Sequence, residues 1–162
     1  MANWPKVSID TVKEYTLCFG CGRDNPIGLK LSFQWDGKTA RAEFTPTKLY
    51  QGWANIVHGG ILACILDEAM SYAALFEGMR CVNAKMEMRL RRSAMIDEPL
   101  VITSSIIKRK RKLVEVGATI SLTDGTPVAE SKATLYVVNP GEGEIDEIIE
   151  KKKGSKSNVN QY

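Results

Sequence analysis

The stretch 58-HGGILACILDE-68 decides how this chain is read. His58 is the only histidine among 162 residues, and two glycines follow it. Then come an apolar run and two adjacent carboxylates, Asp67 and Glu68. At about 100° per residue, Ile61, Leu62, Ile65, Leu66, Ala69, Met70 and Ala73 make one broad apolar face. Cys64, Asp67, Glu68 and Ser71 gather on the other. The pattern predicts a helix from Gly59 to about Glu77, stopped by Gly78. Such a helix is too apolar to lie on a surface, so the rest of the chain must wrap it.

The wrapping elements read as strands. LKLSFQW, residues 29–35, alternates apolar and polar, and Asp36-Gly37 is a tight-turn signal. TARAEFTP returns as a second strand and Pro46 stops it. YQGWANIV is an irregular lead-in to the helix. Val82 to Arg92, Leu100 to Arg109, Leu113 to Thr123 and Pro127 to Val138 are long β-rich runs, with Asp124-Gly125 turning between the last two. The order β-β-α-β-β-β-β predicts an α+β fold: an antiparallel sheet whose concave face holds one long central helix. Residues 1–28 read as an N-terminal arm, with a short helix near Asp10 to Tyr15 and a CFGCG loop. The wrapped domain takes 29–139, and 140–162 is a charged, flexible tail.

Composition narrows the class. An apolar share of 44% and a charged share of 25% are ordinary for a globular domain. No apolar run reaches the roughly 20 residues of a membrane span, and MANWPKVSID has no secretory pattern. A cytoplasmic protein without a membrane partner is the expectation. The four cysteines, Cys18, Cys21, Cys64 and Cys81, include one CxxC. A closed zinc site would have to recruit Cys64 and Cys81. A structured, reduced loop is preferred, so no metal and no cofactor are expected.

The helix start carries the chemistry. A helix N-terminus presents unpaired N–H groups and partial positive charge. Gly59 and Gly60 let a ligand approach that backbone closely. The arrangement suits the oxygen of a polarised carbonyl. Asp67, eight residues beyond Gly59, is a carboxylate that must be paired, protonated or used. One use is to activate or orient water against an acyl carbon. The plainer alternatives are a His58 that only caps the helix, a Gly-Gly that only turns, and an Asp67 that only accepts loop N–H groups.

VHGGILACILDEAMSYAA resembles the signature of hotdog-fold acyl-CoA thioesterases of the phenylacetate-pathway type, in the 4-hydroxybenzoyl-CoA thioesterase superfamily. CFGCGRDNPIGLKLSF and YQGW are similar to a subgroup of these proteins, and the resemblance spans about residues 15 to 138. It implies hydrolysis of an acyl-CoA thioester to free acid and coenzyme A. The Gly59 N–H would polarise the thioester carbonyl, with Gly60 beside the substrate and His58 orienting carbonyl or entry loop. Asp67 would be general base or nucleophile. The site would lie across a dimer interface, in a homodimer or dimer of dimers, with Gly59 and Asp67 from different chains. Asn83 stands where some relatives carry a threonine or serine that holds water. Gly52 stands where several carry an asparagine, with Asn55 nearby. Glu68 points about 100° away from Asp67 and ranks second.

The run KRKRK, Lys108 to Lys112, is the other marked feature. It reads as a charged hairpin, and without interleaved aromatics it does not read as a nucleic-acid site. In the family this region meets the phosphates of coenzyme A. Arg109 and Arg111 are the expected contacts, with Lys110 and Lys112 as helpers, since guanidinium forks suit phosphate. Trp53, Met70, Ala73, Ala74, Met86 and Met88 are candidate walls for the acyl group. Two rivals stay open: a non-catalytic acyl-CoA-binding protein, and a hotdog hydratase or dehydratase. The second would need a catalytic histidine deep on the helix, whereas His58 is at its start.

Overall fold

The computed structural model describes residues 16–138. Its elements are β1 (Gln34–Trp35), β2 (Ala40–Phe44), α1 (Gly59–Phe76), β3 (Cys81–Leu90), β4 (Leu100–Lys110), β5 (Leu113–Leu122) and β6 (Pro127–Val137), with a 3-10 turn at Lys48–Tyr50. All ladders are antiparallel, in one sheet of order β1-β2-β4-β5-β6-β3. This is the hotdog fold that the element order predicts.

The helix is buried as its periodicity requires. Leu62, Ile65, Leu66, Ala69, Met70 and Ala73 are buried. They pack in one core with Ile102 of β4, Val114, Val116 and Ile120 of β5, and Leu135 of β6. The same 18 residues have the length and hydropathy of a membrane span, 1.4 on average. Here the apolar surface is spent on the sheet. Glu77 caps the helix by donating to the Ala74 and Leu75 carbonyls, and Gly78 then takes φ +77°.

The strand predicted over 29–35 is shorter in the structure. Only Gln34 and Trp35 pair with β2. Leu29, Leu31 and Phe33 still alternate into the core, so the apolar pattern reports burial and not the ladder. The backbone reason is local: Leu29 and Leu31 donate to Phe19 and Gly20 instead. The CFGCG loop has taken the place of a sheet partner. The predicted helix near Asp10 to Tyr15 and the 140–162 tail lie outside the described residues.

β3 is the second edge of the sheet and is bonded to β6 alone. Eight of its ten residues are exposed, including Val82 (54%) and Leu90 (52%). A long edge strand with open apolar side chains is a template for a further strand.

Candidate active site

The helix start is assembled by the irregular lead-in. His58 donates its backbone N–H to the Tyr50 carbonyl at 2.9 Å. Its φ of −61° and ψ of 133° make it the N-cap, and its ring Nδ1 accepts the Gly60 N–H at 2.9 Å. A neutral ring that accepts at Nδ1 carries its proton on Nε2. That leaves an exposed Nε2–H donor at the mouth of the helix. A Cβ on Gly52 would lie 3.1 Å from the His58 Cα, so the glycine in the asparagine position makes room for this histidine. Asn55 sits in a left-handed turn at φ +60°. With Gly60 bound to the cap, the Gly59 N–H is the one at the helix start with no partner among the described residues.

Asp67 lies on the side of α1 that faces β3. Asn83 Nδ2 donates to its Oδ1 at 2.7 Å, and Oδ2 has no partner among the described residues. The structure thus brings Asp67 and Asn83 together. It does not bring Gly59 to them. Eight residues of helix separate Gly59 from Asp67, about 12 Å along the axis. A base and an oxyanion donor that act on one carbonyl must each stand about 3 Å from it.

The basic hairpin is sorted by a bulge. Register shifts between Ile106 and Lys108, which reverses the alternation of β4 beyond it. Ile102 and Ser104 point to the helix side before the bulge, and Arg109 does so after it. Arg109 pairs with Val114, Val114 with Leu135, and Leu135 with Asn83. Arg109 and Asn83 therefore share one row on the helix-facing side, about 14 Å apart across three strand spacings. Burial raises the Cys81 thiol pKa, and the field of Arg109 partly offsets that. Lys108 and Lys110 fall on the outer face. Arg111 takes φ +53° in the turn, and the Lys112 ammonium sits 6.0 Å from the Tyr136 ring centroid.

Trp53, midway along the lead-in, is 86% exposed. Met70, Ala73 and Ala74 are fully buried core residues and offer no wall to a ligand. A groove of about 890 Å³ lies on the outer sheet face, among Thr103, Gly117, Thr119, Glu130 and Lys132, without Gly59 or Asp67. Glu68 turns away from Asp67 toward the CFGCG loop, where Cys18 Sγ lies 3.8 Å from its carboxylate. Sequence reasoning did not connect these, because 50 residues separate them.

The fold is a hotdog fold, and the family model of the thioesterase superfamily matches residues 54–129. Among solved structures, the chain is similar to a thioesterase superfamily protein (TM-score 0.68, 24% identity), covering 72% of this chain and 58% of that one. It therefore spans less than two thirds of that protein's length. It is also similar to the E. coli PaaI protein of the phenylacetic acid degradation operon (TM-score 0.64, 18% identity, 68% and 81% covered). A third similar structure is a Streptococcus mutans protein bound to acetyl-CoA (TM-score 0.65, 14% identity, 69% and 91% covered). No curated protein matches the chain in sequence.

Proposed function

We propose that this protein hydrolyses an acyl-CoA thioester to a carboxylic acid and free coenzyme A. The observation that carries the reading is the Asp67–Asn83 pair on the polar side of an otherwise buried helix, whose start leaves one N–H open. The Gly59 N–H, with the His58 Nε2–H beside it, receives the thioester oxygen as negative charge develops there. Asn83 holds one oxygen of Asp67, and the other is left to take a proton from water or to attack the acyl carbon. Water and the chain's own groups suffice for this route.

The 12 Å between Gly59 and Asp67 leads to the second part of the proposal. Each site is built from two copies, with Gly59 from one and Asp67 from the other. The open β3 edge, next to Asn83, is the surface on which the copies meet. Arg109, on the helix-facing row, is the favoured contact for a coenzyme A phosphate, with Arg111 and Lys110 around the turn. Trp53 lies where the acyl group or pantetheine enters. The similarity to an acetyl-CoA-bound structure supports this substrate class.

One observation favours a second reading. Asn83 can bind Asp67 but cannot copy the hydroxyl of relatives, and the pair would also serve as a simple clamp between α1 and β3. The protein would then bind acyl-CoA without turnover. Thiol release across short, long and aromatic acyl-CoAs, corrected for the protein's own cysteines, separates the two. Turnover in wild type that is lost in Asp67→Ala supports the hydrolase. Binding without turnover on every substrate selects the clamp.

A further inference from the structure

The CFGCG loop assembles three groups that hydrolysis leaves unused. Cys18 Sγ, Cys21 Sγ and a carboxylate oxygen of Glu68 all lie within 4.8 Å of one another. Cys18 Sγ is 3.8 Å from Oε1 and 3.8 Å from Oε2. It sits astride the carboxylate rather than along one lone pair. Ligand atoms around a tetrahedral zinc stand roughly 3.5–3.8 Å apart, given Zn–S near 2.3 Å and Zn–O near 2.1 Å. The spacing needs little adjustment to meet that geometry.

The loop is shaped for this arrangement. Gly22 donates its N–H to the Cys18 carbonyl at 2.8 Å, closing the CxxC turn. A Cβ on Gly22 would lie 2.5 Å from the backbone of Cys18 and of Thr16. A Cβ on Gly20 would lie 2.5 Å from the Glu68 carboxylate, so glycine there lets the loop close on that side chain where it stands. Beneath the loop, Cys64, Glu68 and Tyr72 follow one another at four-residue steps on the same face of α1. The groups that act on Glu68 among the described residues are Cys18, Cys21 and Asp67, and no cation is among them.

We propose that Cys18, Cys21 and Glu68 bind a thiophilic divalent cation such as Zn²⁺, clasping the N-terminal loop to the central helix. Binding releases the two thiol protons to solvent and leaves two thiolates and one carboxylate around the ion. Water fills the fourth position, with Cys64 one turn away. From the sequence, a reduced loop without metal is preferred, and a closed zinc site would have to recruit Cys64 and Cys81. Instead Cys81 begins β3 beside Arg109, and Glu68 takes the third place. The clasp is structural and stands apart from the hydrolase reading.

The test uses the full chain, reduced and stripped with a chelator, titrated with Co²⁺ and then Zn²⁺. One cobalt per chain should bind with a sulfur-to-cobalt charge-transfer band that Zn²⁺ removes. Cys18→Ser and Cys21→Ser should abolish the band. Glu68→Gln should keep part of it and weaken binding roughly tenfold or more. Cys64→Ser combined with Cys81→Ser should leave stoichiometry and band in place. A folded, reduced wild type with no such band overturns the proposal, as does a band that needs Cys64 or Cys81 but neither loop cysteine. If the serine variants fold poorly, the wild type decides. Zn²⁺ should then remove two thiols from reaction with a thiol-reactive dye, and a chelator should restore them; an unchanged count overturns the proposal.

Discussion

At the scale of single residues, the proposed chemistry rests on two groups that do different work. Asp67→Ala should lower kcat/KM by about 10²–10⁴-fold, the range of a lost general base. Circular dichroism should be unchanged, since Asp67 is only half-buried and its one side-chain partner, Asn83, is exposed. Asn83→Ala should cost less, and Asn83→Thr should retain more activity than alanine if the residue's task is to hold water. The glycines of the N-terminal loop are constrained by space. Gly22→Ala pushes a methyl group into backbone that cannot swing away. It should destabilise by about 1–3 kcal/mol, read as a lower urea midpoint. Burial pushes the Cys64 thiol up to about 11, so that cysteine should react slowly with thiol reagents at neutral pH.

Elements carry the next set of consequences. The β5–β6 hairpin is closed by Asp124, whose Oδ1 accepts the Thr126 N–H at 2.8 Å, and by Gly125 at φ +89°. Those hydrogen bonds to Thr126 hold the Asp124 carboxyl below the usual carboxylate range. A depressed folded pKa means that the unfolded chain binds the proton more readily. The contribution is therefore present above the ordinary carboxylate pKa and lost as pH falls through the depressed one. Asp124→Ala should lower the urea midpoint at pH 7, and the gap to wild type should close in acid. A gap independent of pH would mean that the side chain acts by shape alone. The β4 bulge is the other element with a consequence. It turns Arg109, and neither Lys108 nor Lys110, toward the Asn83 side. Arg109→Ala should raise KM for an acyl-CoA more than Lys108→Ala or Lys110→Ala does, with kcat nearly unchanged.

For the whole molecule, the question is which chain completes a site. Gly59 is the first helical residue, where proline is tolerated. His58 already has the extended conformation that precedes a proline. A Cβ at Gly59 meets only Leu90 Cδ1 at 3.5 Å, an ordinary contact. Gly59→Pro should therefore keep the helix and delete the N–H, lowering kcat by about 10²–10³-fold. Mixing this variant with Asp67→Ala, after exchange of subunits, provides the decisive measurement. If sites are shared, half of the dimers are mixed and each has one intact site, so about a quarter of wild-type activity returns. If each site lies within one chain, nothing returns. Placing aspartate at Val82 and Leu90 on the β3 edge should yield monomers in sedimentation, still folded and inactive.

The sequence by itself determined the architecture. A helix with one broad apolar face and strands with period-two burial can satisfy that pattern only by wrapping one around the other, and turn residues such as Asp36, Gly37, Asp124 and Gly125 mark the corners. It also marked His58, Gly59 and Asp67, because glycine pairs and a lone carboxylate stand out against an apolar helix. The tertiary structure decided what local pattern cannot encode. The stretch 29–33 is left out of the ladder because a loop from about ten residues earlier took its hydrogen bonds. The bulge, not the alternation read along β4, chose the face of Arg109. Glu68 met Cys18 and Cys21 because the loop folds across the helix, and Asp67 met Asn83 because β3 runs beside it. Each is a contact between distant parts of the chain, set by how the core closes and by which backbone groups remain to be satisfied.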